Sequence, residues 1–220
     1  MSSSVCDWCS GRSPLVEGVD RTAQRPEPAG RPRLSRRAPR GGGFVTDYDV
    51  AAIEEFINRG LDKGLTAKAR GDALEDLFCY LLELLPGVSV RRKVVDRFKS
   101  SEVDIIVANI GEARWLKTYP TIFLVECKNW DNPVDSQSVL AFSGKLEMRY
   151  VELGVLVAAS GITGDEKDLA SAHHIIEMHQ SKGRRIVVLT LESLRKVRTT
   201  DDFETLLRDR LLNTVGASHL

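Results

Sequence analysis

An α/β fold with a mixed central sheet and helices on both faces is predicted by three features of the sequence. Before residue 86 the apolar residues recur at helical spacing. Three β-branched runs then follow one another closely, as in an antiparallel meander. From residue 135 onward, apolar runs alternate with helical segments, the pattern of parallel strands joined by crossover helices.

Each element has its own signal. Order is expected to begin near Thr46 or Asp47, a helix cap. Val50, Ile53, Phe56, Ile57 and Leu61 then share one helical face, and Gly60 and Gly64 weaken its end. Thr66 caps a stronger helix in which Leu74, Leu77, Phe78, Leu81, Leu82 and Leu85 recur, and Pro86-Gly87 stops it. Val88 to Val95, Val103 to Ile110 and Thr121 to Cys127 read as strands, with Gly111 to Pro120 as a hairpin loop. A helix from about Asp135 to Tyr150 leads to an apolar strand, Gly154 to Ala159, and a polar turn, Ser160 to Gly164. A helix from Glu166 to Gln180, a strand from Ile186 to Leu189, and two short helices near Leu191–Val197 and Asp202–Leu212 complete the chain.

The expected division is a disordered Arg/Pro/Gly-rich tail (1–43), an N-terminal helical extension (44–65), the main domain (66–200) and a C-terminal helix (201–220). The formal net charge is zero, but its distribution is uneven. The tail holds eight Arg and no Lys against Asp7, Glu17, Asp20 and Glu27, so the rest of the chain is acidic by the same amount. Such a tail is either a source of sequence-independent phosphate attraction or a solvated linker. No apolar run approaches the roughly 20 residues that span a bilayer, and no signal-peptide pattern opens the chain. No membrane role and a cytoplasmic location are expected from this. Cys79 and Cys127 sit in apolar segments as small hydrophobes. Cys6 and Cys9 lack the second pair that a structural zinc site needs.

The chemistry is concentrated in two neighbouring strands. Glu102-Val103-Asp104-Ile105-Ile106 places a carboxylate in an apolar run, and Val125-Glu126-Cys127-Lys128-Asn129-Trp130 places a carboxylate and an ammonium in another. Side chains alternate along a strand, so Glu126 and Lys128 share a face while Val125 and Cys127 face the core. If the strands pair, Asp104 joins them. Buried charges are costly unless paired or bound to a cation. Two close carboxylates suit a hard divalent ion such as Mg2+ or Mn2+. Lys128 would orient a water and stabilise charge on a phosphate. The competing reading is an Asp104–Lys128 salt bridge at a strand end with Glu126 in solvent.

These stretches resemble the PD-(D/E)xK nuclease superfamily, and within it the Mrr-like restriction endonucleases. Gly71 to Leu77 is similar to the first core helix, which contributes a glutamate. Glu102 to Ile106 is similar to the metal-binding aspartate strand, and Val125 to Trp130 to the E-x-K strand. Gly154 to Thr163, with Ala170 and Ala172, is similar to the strand, turn and helix that follow, and Arg185 to Leu194 to the closing strand and helix. Val103, not proline, precedes the aspartate, as is usual among the Mrr-like members.

The resemblance implies a restriction-endonuclease-like three-layer α/β/α domain and a magnesium-dependent DNA endonuclease. Asp104, Glu126 and the main-chain carbonyl of Cys127 would bind the metal, Lys128 would sit beside the attacking water, and Glu75 would reach the metal through a water. Gln137, Lys145, Ser160 and Thr163 are candidate DNA contacts, with Arg91, Arg92, Lys93 and Arg149 as further cations along a DNA path or on an ordinary surface. Trp115 and Trp130 either stack on bases or pack. DNA is the expected partner, together with a homodimer or a separate specificity partner. The role would be defence against foreign DNA or DNA repair. Two alternatives stand beside it: a structure-selective nuclease similar to Holliday-junction resolvases, and a non-catalytic DNA-binding module on a nuclease fold.

Overall fold

The computed structural model describes residues 45–96, 101–113, 115–164 and 171–216, with side chains as far as Thr214. The tail read as disordered, including Cys6 and Cys9, lies outside the described residues.

The first helix, α1 (Val50–Leu61), is capped by Asp49, whose carboxylate accepts from the amides of Ala51 and Ala52. The cap therefore falls two or three residues after the expected one. Thr46 and Asp47 instead hold the other end of the chain: Thr200 N–H donates to the Thr46 carbonyl, and Asp47 bridges Thr199. Thr66 caps α2 (Ala67–Glu83) as expected. Gly87, at φ +71, turns the chain where an ordinary side chain would be strained. Two strands follow, β1 (Val88–Val95) and β2 (Glu102–Asn109). The loop after β2 holds a short 3-10 turn at Leu116–Thr118, organised by buried Asn109, whose amide donates to the Leu116 carbonyl at 2.8 Å. The remaining elements are β3 (Ile122–Lys128), α3 (Ser136–Met148), β4 (Leu153–Ala158), α4 (Ala172–Gln180), β5 (Arg185–Leu189), α5 (Leu191–Arg195) and α6 (Thr200–Gly216). The first turns expected for α4 fall partly on residues 165–170, outside the described residues. Ser171 caps the helix that is described.

The five strands lie in sequence order. β1–β2 and β2–β3 are antiparallel, and β3–β4 and β4–β5 are parallel. The mixed sheet is therefore the one the pattern predicts. Its two faces carry separate cores. Ile105, Val107, Phe123, Val125, Val155, Val157, Val187 and Leu189 pack against α1, α2, α5 and α6. Leu124, Leu156, Ala158 and Ile186 pack against α3 and α4. The chain is thus an α/β protein of three layers. Gly154 lets α3 lie against β4, since a Cβ there would meet the Phe142 ring at 2.7 Å. Tyr48, next to α1, and Phe203 of α6 join the first core, where the Phe203 ring stands edge-on to Phe78 at 5.6 Å. The segments before residue 66 and after residue 200 thereby share the core of the sheet.

Candidate active site

The strands β2 and β3 pair from Ile105–Val125 to Ala108–Ile122, and the pairing ends just before Asp104 would meet Glu126. There the alternation of β2 breaks. Val103 packs with the α3 side and Ile105 with the α2 side, although both are two residues apart on one strand. In β1, Lys93 stands opposite Asp104, between the pairs Arg92–Ile105 and Val94–Val103, and adopts a left-handed φ of 49°. The carboxylate of Asp104 takes over the lost ladder bond by accepting the Cys127 amide at 2.6 Å. The interruption places a carboxylate against the backbone of the neighbouring strand beside Glu126.

Glu126 is only 3 % exposed. Its carboxylate receives Lys128 Nζ at 2.8 Å, and Lys145 Nζ from α3 at 2.9 and 2.7 Å, one distance to each oxygen. The competing reading, an Asp104–Lys128 salt bridge with Glu126 in solvent, differs from this arrangement: Glu126 is buried and is itself a partner of Lys128. Burial pushes the Asp104 carboxyl up to about 6, the charge of Glu126 adds to this, and the Cys127 amide opposes it. Burial acts to lower the Lys128 pKa, but Glu126 and Asp104 outweigh it and hold the ammonium above the ordinary lysine value.

Glu75 lies on the opposite layer, buried in α2, and its charge contributes to raising Asp104. It is held by Arg92 at 3.1 Å and Lys93 at 3.6 Å. Arg92 also binds Asp76 at 2.6 Å, and Lys93 binds Asp72. Neighbouring strand residues normally point to opposite faces. The left-handed turn at Lys93 accompanies an arrangement in which both cations reach the same acidic helix. The sequence shows them only as a basic run; the helical spacing of Asp72, Glu75 and Asp76 was the available signal for their partners.

The remaining candidates are dispersed. Gln137 is exposed near the start of α3. Ser160 donates to the Trp130 carbonyl at 2.8 Å, and the Thr163 amide bonds the Val134 carbonyl at 2.9 Å, so both brace the loop after β3. Arg149 donates to Ser101. Trp115 packs below Arg208, whose guanidinium lies 4.5 Å from the ring centroid. Trp130 is exposed, with Lys128 Nζ 5.6 Å from its ring centroid. Asn129 is a functional-site neighbour that the sequence reading passed over. Its side-chain amide donates to the carbonyls of Gly60 at 2.9 Å and Arg70 at 2.7 Å, tying the end of β3 to α1 and α2. Lys128, Asn129, Trp130, Arg70 and Gly71 line a cleft of about 390 Å³ at this end of the sheet.

A family model described as a restriction endonuclease, the Mrr catalytic domain, matches residues 66–190, more than half of the chain. The chain belongs to the Mrr-type restriction endonuclease family. Comparison with curated proteins gives no match. The matched span runs from the cap of α2 to the end of β5 and so contains Glu75, Asp104, Glu126 and Lys128. The family is one of nucleases that act on DNA. Among the described residues, no group of three or more His, Cys, Asp or Glu side chains is placed to hold a metal. What Asp104 and Glu126 offer is two carboxylates on neighbouring strands, both oxygen donors. Magnesium is commonly held by only one or two carboxylates, with waters and substrate phosphates completing its shell. Burial, and after it the charge of Glu126, raises the Asp104 carboxyl, so the ionised pair is disfavoured unless positive charge lies close by. The residues therefore fit a hard divalent ion.

Among the described residues, no helix is long and apolar enough to cross a membrane.

Proposed function

We propose that this chain is a divalent-metal-dependent DNA endonuclease that hydrolyses phosphodiester bonds at Asp104, Glu126 and Lys128, in defence against foreign DNA or in DNA repair. The convergence of two carboxylates and an ammonium at the splayed end of β2 and β3, beside an open cleft, carries this reading. Asp104, Glu126 and the Cys127 carbonyl would hold Mg2+ or Mn2+. Such an ion, when bound, makes water a stronger nucleophile and offsets phosphate charge.

The residues supply the rest. Asp104 is ionised at neutral pH, because its carboxyl titrates near 6. Its Cys127 hydrogen bond fixes the carboxylate in place. Lys128 stays protonated, so its role is that of a charged donor to the attacking water and the phosphate, not that of a proton acceptor. Glu75, held by Arg92 and Lys93, supplies a further acceptor for a water at the site. Trp130 and Asn129 shape the cleft by which the backbone of DNA would enter. A single site cuts one strand, so double-strand cleavage calls for a homodimer on the DNA, and choice of sequence for a specificity partner.

Incubation of the full chain with supercoiled plasmid tests this reading. Nicking with Mg2+ or Mn2+ is expected, blocked by chelation and weak on RNA of equal length. Tight DNA binding that needs no metal, without cleavage of any DNA, would favour a non-catalytic module.

A further inference from the structure

Glu126 holds more positive charge than a metal ligand needs. Both its oxygens are bonded by Lys145, at 2.9 and 2.7 Å, in addition to Lys128 on one of them. Lys145 stands on α3, one turn before that helix ends, and its side chain is only 21 % exposed. Its ammonium occupies the same two oxygens that a divalent ion would use. We infer that Lys145 is a positioning residue that acts as the resident counter-ion of Glu126, which the divalent ion must displace, so that the site loads metal together with DNA.

Charge counting gives the reason. By formal charge, the carboxylates of Asp104 and Glu126 and the ammonium groups of Lys128 and Lys145 cancel before an ion arrives. A divalent ion then leaves a surplus of two positive charges in a partly buried site, where such charge is poorly screened. The phosphodiester backbone is the ligand that relieves this surplus, and the displaced ammonium of Lys145 is then free to bind a phosphate oxygen. Ion and DNA would each bind better in the presence of the other, with equal coupling in both directions. Without Lys145 the ion would meet less competition, and the buried Glu126 would lose one of its two cations. This inference rests on the metal-dependent reading above.

The test is the thermal stabilisation and calorimetric affinity of the full chain with Mn2+, without DNA, in wild type, Lys145→Ala and Asp104→Asn. Lys145→Ala should be less stable than wild type without metal, yet bind Mn2+ roughly tenfold or more tightly and gain a larger rise in Tm from it. Asp104→Asn should show neither. Lys145→Gln, which keeps a donor to Glu126 without the charge, should shift in the same direction if Lys145→Ala does not fold. Lys145→Arg should restore the wild-type response. Equal Mn2+ affinity in wild type and the Lys145 variants, with Asp104→Asn deficient, would overturn the counter-ion role and leave the metal site standing. No Mn2+ binding in any of them would overturn both.

Discussion

Asp104 carries two opposing consequences of one placement. Its carboxyl is raised to about 6, first by burial and then by Glu126. A raised carboxyl binds its proton more tightly in the fold than in the unfolded chain. Its contribution to stability is therefore favourable below about pH 4 and is lost as the pH rises to about 6. The loss is at most about 3 kcal/mol, at 1.4 kcal/mol per pH unit. Asp104→Asn should remove this loss and be more stable than wild type at pH 7.5 in metal-free buffer, while its nicking activity disappears. Urea titrations at pH 4, 6 and 7.5 measure the first effect, and identical pH dependence in the two proteins would contradict the assigned environment. The candidate cluster was legible because charge inside apolar strands is costly, and this draws the eye to Asp104, Glu126 and Lys128. Lys145 and Asn129 were not legible in these roles. A lysine on a helix and an asparagine after a strand are ordinary residues until the packing of α3 against β3, and of α1 against α2, shows what they touch.

At the scale of elements, every strand and the change from antiparallel to parallel pairing were predictable because periodicity changes sharply at Pro86-Gly87 and again after β3. The expected bounds of α1 moved because a cap is chosen by local geometry among several competent residues, and Asp49 rather than Thr46 or Asp47 has its carboxylate on the first free amides. The apolar face was also narrower than the spacing suggested: Ile53 and Ile57 are buried, while Val50 and Leu61 remain exposed. The kink at Lys93 and the loss of alternation at Val103 had no signal in residue type, yet they are what turns the Asp104 carboxylate onto Cys127. Two element-level consequences are measurable by chemical denaturation. Gly154→Ala should destabilise the fold by about 1–3 kcal/mol, because the new Cβ overlaps the Phe142 ring and Leu146. Asn129→Ala should cost about 1–2 kcal/mol through loss of the two bonds that tie the end of β3 to α1 and α2. A wild-type midpoint in either variant would show that the contact is not formed as described.

For the whole molecule, the proposed centre lies where the antiparallel and parallel halves of the sheet meet, with Glu75 on α2 in one layer and Lys145 on α3 in the other. The first core continues past the matched family span: Phe203, Leu207 and Leu211 are buried in it, and the Tyr119 hydroxyl donates to the Leu207 carbonyl at 2.8 Å. Phe203→Ala should accordingly cost about 3–5 kcal/mol, and a chain ended after Arg198 should lose cooperative unfolding in a calorimeter. Sequence periodicity marked α6 as a helix, but which core it joins is decided by contacts such as Tyr119 with Leu207, 88 residues apart in the chain, which spacing does not reveal. The central claim is that the three strand residues form one metal-dependent hydrolytic centre, and the rate of supercoiled-plasmid nicking in Mn2+ by wild type, Asp104→Asn, Lys128→Ala and the double variant tests it most directly. Each single substitution should lower the rate by roughly a hundredfold or more, and the double variant should be little worse than the worse single one, since residues that act as a unit are not additive. Wild-type nicking that persists in Asp104→Asn or Lys128→Ala would place the chemistry elsewhere and contradict the account.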